Sequence, residues 1–327
     1  LNWEFILAAP ADYLPGYLDD DLKYLRQIHE ATIAKVGAKA KGKPAVMGFS
    51  MGGWYTLNLA ASSAPEAYSN SLAINPPLDL NTGLRMLDKL FRAPAGEKDL
   101  DVIKESALVK LLASQQRFTE QETLPFSDLE ASFLIGLSYR LTLTQTIMAS
   151  LDIAPNSGAH KKVGALSWED YYSKIVAPTL ASRKINAEAL NSASNLRSRE
   201  TGLTAAKNLK LVLTGNDFLL TQEDLSWFRK RFPGDRTIYT ETGGHMGQLW
   251  KPTVRESIRA AIRQTVVSEA INRKQAESKS MAIFARARLD AEQRAMGAAL
   301  LRMQENDSGL LSDAQPFRLL ATRIGSE

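Results

Sequence analysis

The most constraining feature of the chain is the pentapeptide Gly48-Phe49-Ser50-Met51-Gly52, set between two patterns of different period. Leading into it, Pro44-Ala45-Val46-Met47-Gly48-Phe49 follows a Gly/Lys turn at 39–43 and reads as a strand. After it, residues 54–62 follow a helical pattern. A serine at such a strand-to-helix turn adopts a strained backbone that lifts its hydroxyl clear of the sheet. The spacing predicts that the residues two before and two after the serine come so close that only small side chains fit, hence Gly48 and Gly52. A helix beginning at Met51 aims its positive end at the serine, where the Met51 N–H can stabilise an oxyanion.

The flanking patterns alternate. Residues 3–9 form a short apolar run stopped by Pro10 and read as a strand. Residues 19–36 read as a polar helix with Leu22, Leu25, Ile28 and Ile33 on one face. Residues 71–75 read as another strand, ended by Pro76-Pro77. Strand, helix, strand at this spacing predicts right-handed crossovers and a parallel sheet. From 81 to 208 the period is helical and no strand is expected; Ser127-Asp128-Leu129-Glu130 is a capping box opening an apolar helix. Residues 156–163 read as a loop, and Trp168, Tyr171 and Tyr172 cluster before a further helix. The alternation then resumes: a strand at 209–214 ends at Gly215-Asn216-Asp217, a helix covers 223–232, and a strand at 236–240 ends at Thr242-Gly243-Gly244-His245. The chain thus divides into 1–80 (first part of a core), 81–208 (helical insertion), 209–251 (second part of the core) and 252–327 (helical C-terminal segment).

Composition removes several chemistries. The 327 residues contain no cysteine, which excludes thiolate nucleophiles, thiolate metal ligands and disulfides. No Gly-rich phosphate loop, dinucleotide fingerprint or metal-spaced His/Asp cluster occurs, so neither a cofactor nor a metal is expected. A net charge of +4 is too small to argue for nucleic acid. The longest apolar stretch, 129–151, carries Glu130 and Arg140 and reads as a buried helix rather than a membrane span. The compartment stays open.

A serine hydroxyl is a poor nucleophile until an imidazole takes its proton, and the imidazole needs a carboxylate to fix its tautomer. There are three histidines. His29 lies on the polar helix and His160 beside Lys161 and Lys162, and both read as solvated. His245 alone follows a strand. Asp217 also follows a strand, and Asp79, after the 71–75 strand, is the reserve acid.

The 3–9 strand, the Gly48–Gly53 turn, the Asp217 turn and the Gly-Gly-His turn, with chain order Ser50, Asp217, His245, resemble an α/β-hydrolase over roughly 1–80 and 209–250. The resemblance implies an α/β fold: a mostly parallel, doubly wound sheet with a helical cap inserted at 81–208. It implies Ser50 as nucleophile, Asp217 as acid and His245 as base, with Met51 as oxyanion donor and Gly48 and Gly52 as the elbow glycines. It also implies further strands ahead of the 3–9 run, one leading to a second oxyanion donor. Ala9-Pro10-Ala11 does not match that loop, since Pro10 has no N–H. An upstream segment or a separate partner chain is therefore expected to complete the sheet.

The expected function is a serine esterase or lipase-like enzyme, with peptidase or thioesterase chemistry open on the same machinery. The apolar insertion, with Met86, Leu87, Leu90, Phe91 and 133–137, points to a lipophilic ester. The tail, with Met281, Ile283, Phe284, Leu289, Met296 and Leu300, reads as a helix for an oligomer contact or an anionic membrane surface. The alternative is a non-catalytic hydrolase-fold scaffold docking through that tail in envelope lipid handling.

Overall fold

A computed structural model describes residues 8–10, 12–14, 16–37, 43–62, 67–96, 99–113, 126–150, 158–245, 248–249 and 251–263. Residues 3–7 of the expected first strand and the tail helix expected at 271–303 lie outside them. Ala8 and Ala9, at the end of that run, are not extended.

Helix α1 spans Leu18–Val36, followed by β1 (Ala45–Phe49), α2 (Met51–Ser62) and β2 (Asn70–Ile74). The insertion comprises α3 (Leu80–Arg92), α4 (Leu100–Ala113), α5 (Asp128–Ser150), α6 (His160–Gly164), α7 (Trp168–Tyr171), α8 (Ala177–Ser182), α9 (Ala187–Ser194) and α10 (Glu200–Ala205). Strand β3 (Leu209–Thr214), α11 (Gln222–Arg231), β4 (Thr237–Thr240) and α12 (Pro252–Arg263) complete the order. The strands form one four-stranded, all-parallel sheet of order β1-β2-β3-β4. The fold class is therefore α/β, as the alternation predicts.

Both faces of the central strands β2 and β3 are covered, which is why these read as near-continuous apolar runs rather than alternating ones. On one face Ala73, Leu209, Leu211 and Leu213 pack with Trp54 and Leu57 of α2, Leu203 of α10 and Phe228 of α11. On the other, Leu72, Ile74 and Val212 pack with Val254, Ile258 and Ala261 of α12. Helix α2 is buried on most of its surface and is accordingly apolar nearly all round. Among the described residues β1 pairs only with β2, and its Met47 is 55% exposed. The expected apolar face of α1 is only partly covered: Leu22 is buried, Ile28 and Ile33 are exposed.

Between 81 and 208 the described residues form helices and no strand. The capping box at α5 forms as its sequence predicts. Ser127 N–H donates to Glu130 Oε2 (2.7 Å), and Glu130 N–H donates to Ser127 Oγ (3.3 Å). Helices α3 and α5 touch where Gly136 faces Phe91; an added Cβ would lie 2.7 Å from the Phe91 Cβ. Phe91 and Phe133 stack at 5.7 Å, so these apolar residues are spent on each other. Trp168, Tyr171 and Tyr172 do not precede a helix but belong to one: α7 runs through a π-helical turn at Tyr172–Val176 into α8. His160 opens α6, where a loop was expected.

The insertion is rooted beside the C-terminal end of β2. Leu196 N–H donates to Leu78 O (2.9 Å), and Asp79 and Asn195 form an antiparallel bridge. None of the helices among the described residues is long and apolar enough to cross a membrane.

Candidate active site

The site assembles at the C-terminal ends of the strands, where Phe49, Ile74 and Val212 lie in register across β1, β2 and β3 and β3 runs two residues further. Ser50 follows β1 directly and has φ +55, a left-handed conformation that a non-glycine residue adopts only under constraint. Two backbone bonds hold it there. Its N–H donates to Ile74 O (2.8 Å), and its carbonyl accepts from Trp54 N (3.0 Å) in the first turn of α2.

The glycine requirement is only half of what the pentapeptide predicts. A Cβ on Gly48 would overlap the Gly52 carbonyl and lie 2.7 Å from Gly53 N, so nothing but glycine fits. A Cβ on Gly52 would meet nothing within 4 Å. The expectation that Gly52 must be small for lack of space is thus corrected: its carbonyl, not its Cα hydrogen, faces Gly48. Gly53 is tighter, with a Cβ there 3.1 Å from both Gly48 O and Ile74 O. The symmetric motif hides this because successive helical residues point about 100° apart, so Gly53 faces β1 and β2 while the Cα hydrogen of Gly52 points away.

The structure brings Ser50, His245 and Asp217 together. His245 Nε2 lies 2.8 Å from Ser50 Oγ, and His245 Nδ1 lies 3.0 Å from each Asp217 carboxylate oxygen. The Asp217 side chain is 0% exposed and that of His245 13%. Asp217 also accepts from Leu219 N–H (2.9 Å), which fixes the carboxylate independently of the histidine. It does not cap the following helix; that task falls to Thr221, in a capping box with Asp224. Phe49 and Phe218 flank the imidazole, with centroids 5.0 and 5.2 Å from it. Met51 is the first residue of α2, so its N–H is among the donors a helix leaves without an intrahelical acceptor, and the residue is 51% exposed.

The other candidates stand elsewhere. Asp79, the reserve acid, caps α3 by accepting from Thr82 N–H (2.7 Å). His29 is not solvated as expected: its Nδ1 is 2.7 Å from Tyr68 Oη, and burial pulls its pKa below the ordinary histidine value. Among the described residues no cluster of His, Cys, Asp or Glu could hold a metal ion.

Two asparagines escape the sequence reading. Asn216 Oδ1 accepts from Gly244 N–H (2.8 Å). Asn75 Nδ2 donates to His245 O (2.8 Å) and lies 3.1 Å from both Gly244 O and Thr214 Oγ1. The apolar pattern counts Asn75 as the last residue of a strand, whereas β2 ends at Ile74 and Asn75 leaves it at φ +44; the available signal is only its position at a strand end beside the strand that leads to Ser50.

The arrangement can pass a proton from the serine hydroxyl to an imidazole held and charge-balanced by a buried carboxylate. No family model matches the chain, and no curated protein matches it.

Proposed function

We propose that the protein is a serine hydrolase of the α/β-hydrolase type that cleaves a carboxylic ester. The observation that carries this reading is the unbroken Ser50–His245–Asp217 contact chain, with the serine held at positive φ at a strand end. His245 Nε2 takes the hydroxyl proton as Ser50 Oγ attacks the ester carbonyl carbon. The Met51 N–H donates to the resulting oxyanion. The imidazolium, balanced by Asp217, returns its proton to the departing alkoxide as the C–O bond breaks, leaving an acyl-serine. Water then repeats the attack with His245 as base, releasing the acid and restoring the serine.

A lipophilic ester is the substrate class. Phe49, Phe218 and Met51 supply apolar surface around the serine and imidazole. The rooting of the helical insertion at the end of β2, the strand next to the serine's own, supports its acting as a cap. The half-exposed Met47 on β1, with Ile28 and Ile33 exposed on α1, supports a further strand pairing along β1, from this chain or another.

The test is hydrolysis of p-nitrophenyl esters of increasing acyl length by the wild-type protein and by Ser50→Ala. The reading expects turnover that rises with acyl length and disappears in the variant. Turnover retained by Ser50→Ala, or none in the wild type on any ester, overturns it.

A further inference from the structure

We infer that Asn75 is a positioning residue that sets the histidine turn against the nucleophile turn, an inference that rests on the hydrolase reading above. The need for it is physical. His245 follows Gly243 and Gly244, with φ +141 and +59, and two glycines leave the imidazole on backbone with little stiffness of its own. A base working at 2.8 Å from the serine must be held from outside that segment.

Asn75 is built for this. It follows β2, is 0% exposed, and has φ +44, a conformation that asparagine tolerates better than other residues with side chains. Its N–H extends the ladder to Val212 O (2.8 Å). Its neighbour's carbonyl, Ile74 O, receives the Ser50 N–H (2.8 Å). From that position the side chain reaches across β3, past Thr214, and its amide hydrogens meet the carbonyls of Gly244 and His245. The same short piece of backbone thus holds the nucleophile on one side and the base on the other. Asn216, accepting from Gly244 N–H, grips the peptide that precedes those two carbonyls in the same turn. The left-handed backbone aims the Asn75 amide, which makes its strain part of the device rather than a defect.

The test uses the full chain with 15N-labelled histidine. Three histidines keep the spectrum simple, and His245→Gln assigns the Nδ1 proton shared with Asp217. Asn75→Gly keeps the left-handed backbone and removes only the amide. It is expected to broaden or abolish that proton's signal and to lower kcat per titrated site about 10- to 100-fold, the cost of a misplacement near 1 Å, with KM within about threefold. Asn75→Asp, near-isosteric but aiming an oxygen at the two carbonyls, is expected to do the same and serves if the glycine variant does not fold. A folded variant with an unchanged signal and wild-type kcat, differing only in melting temperature, overturns the inference. An Asn75-dependent signal in a wild-type protein that hydrolyses no ester sinks the hydrolase reading and leaves the positioning role standing.

Discussion

Replacing Gly48 with alanine probes the tightest contact of the site. The added methyl would overlap the carbonyl of Gly52 and sit 2.7 Å from Gly53 N, all of it backbone in the first turn of α2. Backbone cannot rotate away as a side-chain tip can, so β1 must separate from α2. Overpacking of this kind costs about 3 kcal/mol. For a domain of this size that lowers Tm by about 6–12 °C. Gly53→Ala is intermediate, because its methyl would stand 3.1 Å from two carbonyl oxygens that can each give slightly. Gly52→Ala is neutral or gains up to about 1 kcal/mol, since it meets nothing and alanine is the better helix residue. Urea or thermal unfolding of the three variants ranks them directly. Gly48→Ala melting with the wild type, or Gly52→Ala losing as much as Gly48→Ala, refutes the steric account of the turn.

Four further outcomes follow from other contacts. Asp217→Asn lowers kcat about 10,000-fold by stabilising the wrong imidazole tautomer. Asp79→Asn leaves ester turnover within about twofold because asparagine caps a helix as well as aspartate does, and the reverse ranking makes Asp79 the acid. Glu130 accepts from Lys110 Nζ (2.8 Å), Ser106 Oγ (2.6 Å) and Ser127 N–H (2.7 Å), which hold its pKa down at about 2 from an ordinary 4.5. Its stabilisation of the folded state is therefore present above about pH 4.5 and lost as pH falls toward about 2, and acid unfolding of Glu130→Gln shows that component missing; an unchanged acid profile contradicts it. Finally, Pro44 O and Ser50 N–H both bond toward β2, so the amides of Ala45, Met47 and Phe49 point to the other side of β1. If a further strand pairs there, these amides are protected from hydrogen exchange to the same degree as Val46 and Gly48, and fast exchange at all three rules that strand out.

The parts of the fold that were legible before the structure are those where local chemistry and tertiary burial agree. Strands β2 and β3 are buried on both faces, so their apolar runs carry the signal unaided, whereas β1 is legible from the glycine-flanked serine that ends it. The pentapeptide, the Asp217 turn and the His245 turn were legible because each joins a strand end to a chemically distinctive residue. The capping box at Ser127 was legible because it closes over four residues. What escaped depends on contacts distant in the chain. Asn75 and His245 lie 170 residues apart, and no local pattern separates such an asparagine from a turn former. His29 looked solvated because its partner Tyr68 is on a different segment. Gly52 looked sterically required because the motif is symmetric in sequence while the helix that follows makes it asymmetric in space. The apolar residues of α3 and α5 looked available to a substrate, yet Phe91 and Phe133 stack on each other.

The central claim is that Ser50 is an activated nucleophile, and covalent capture tests it most directly. The full-length protein is treated with a fluorophosphonate, and the modified residue is located by peptide mass spectrometry. The account predicts one adduct, on Ser50, absent from Ser50→Ala and much slower to form in His245→Gln. A folded protein that takes no label, or takes it on a residue other than Ser50, contradicts it.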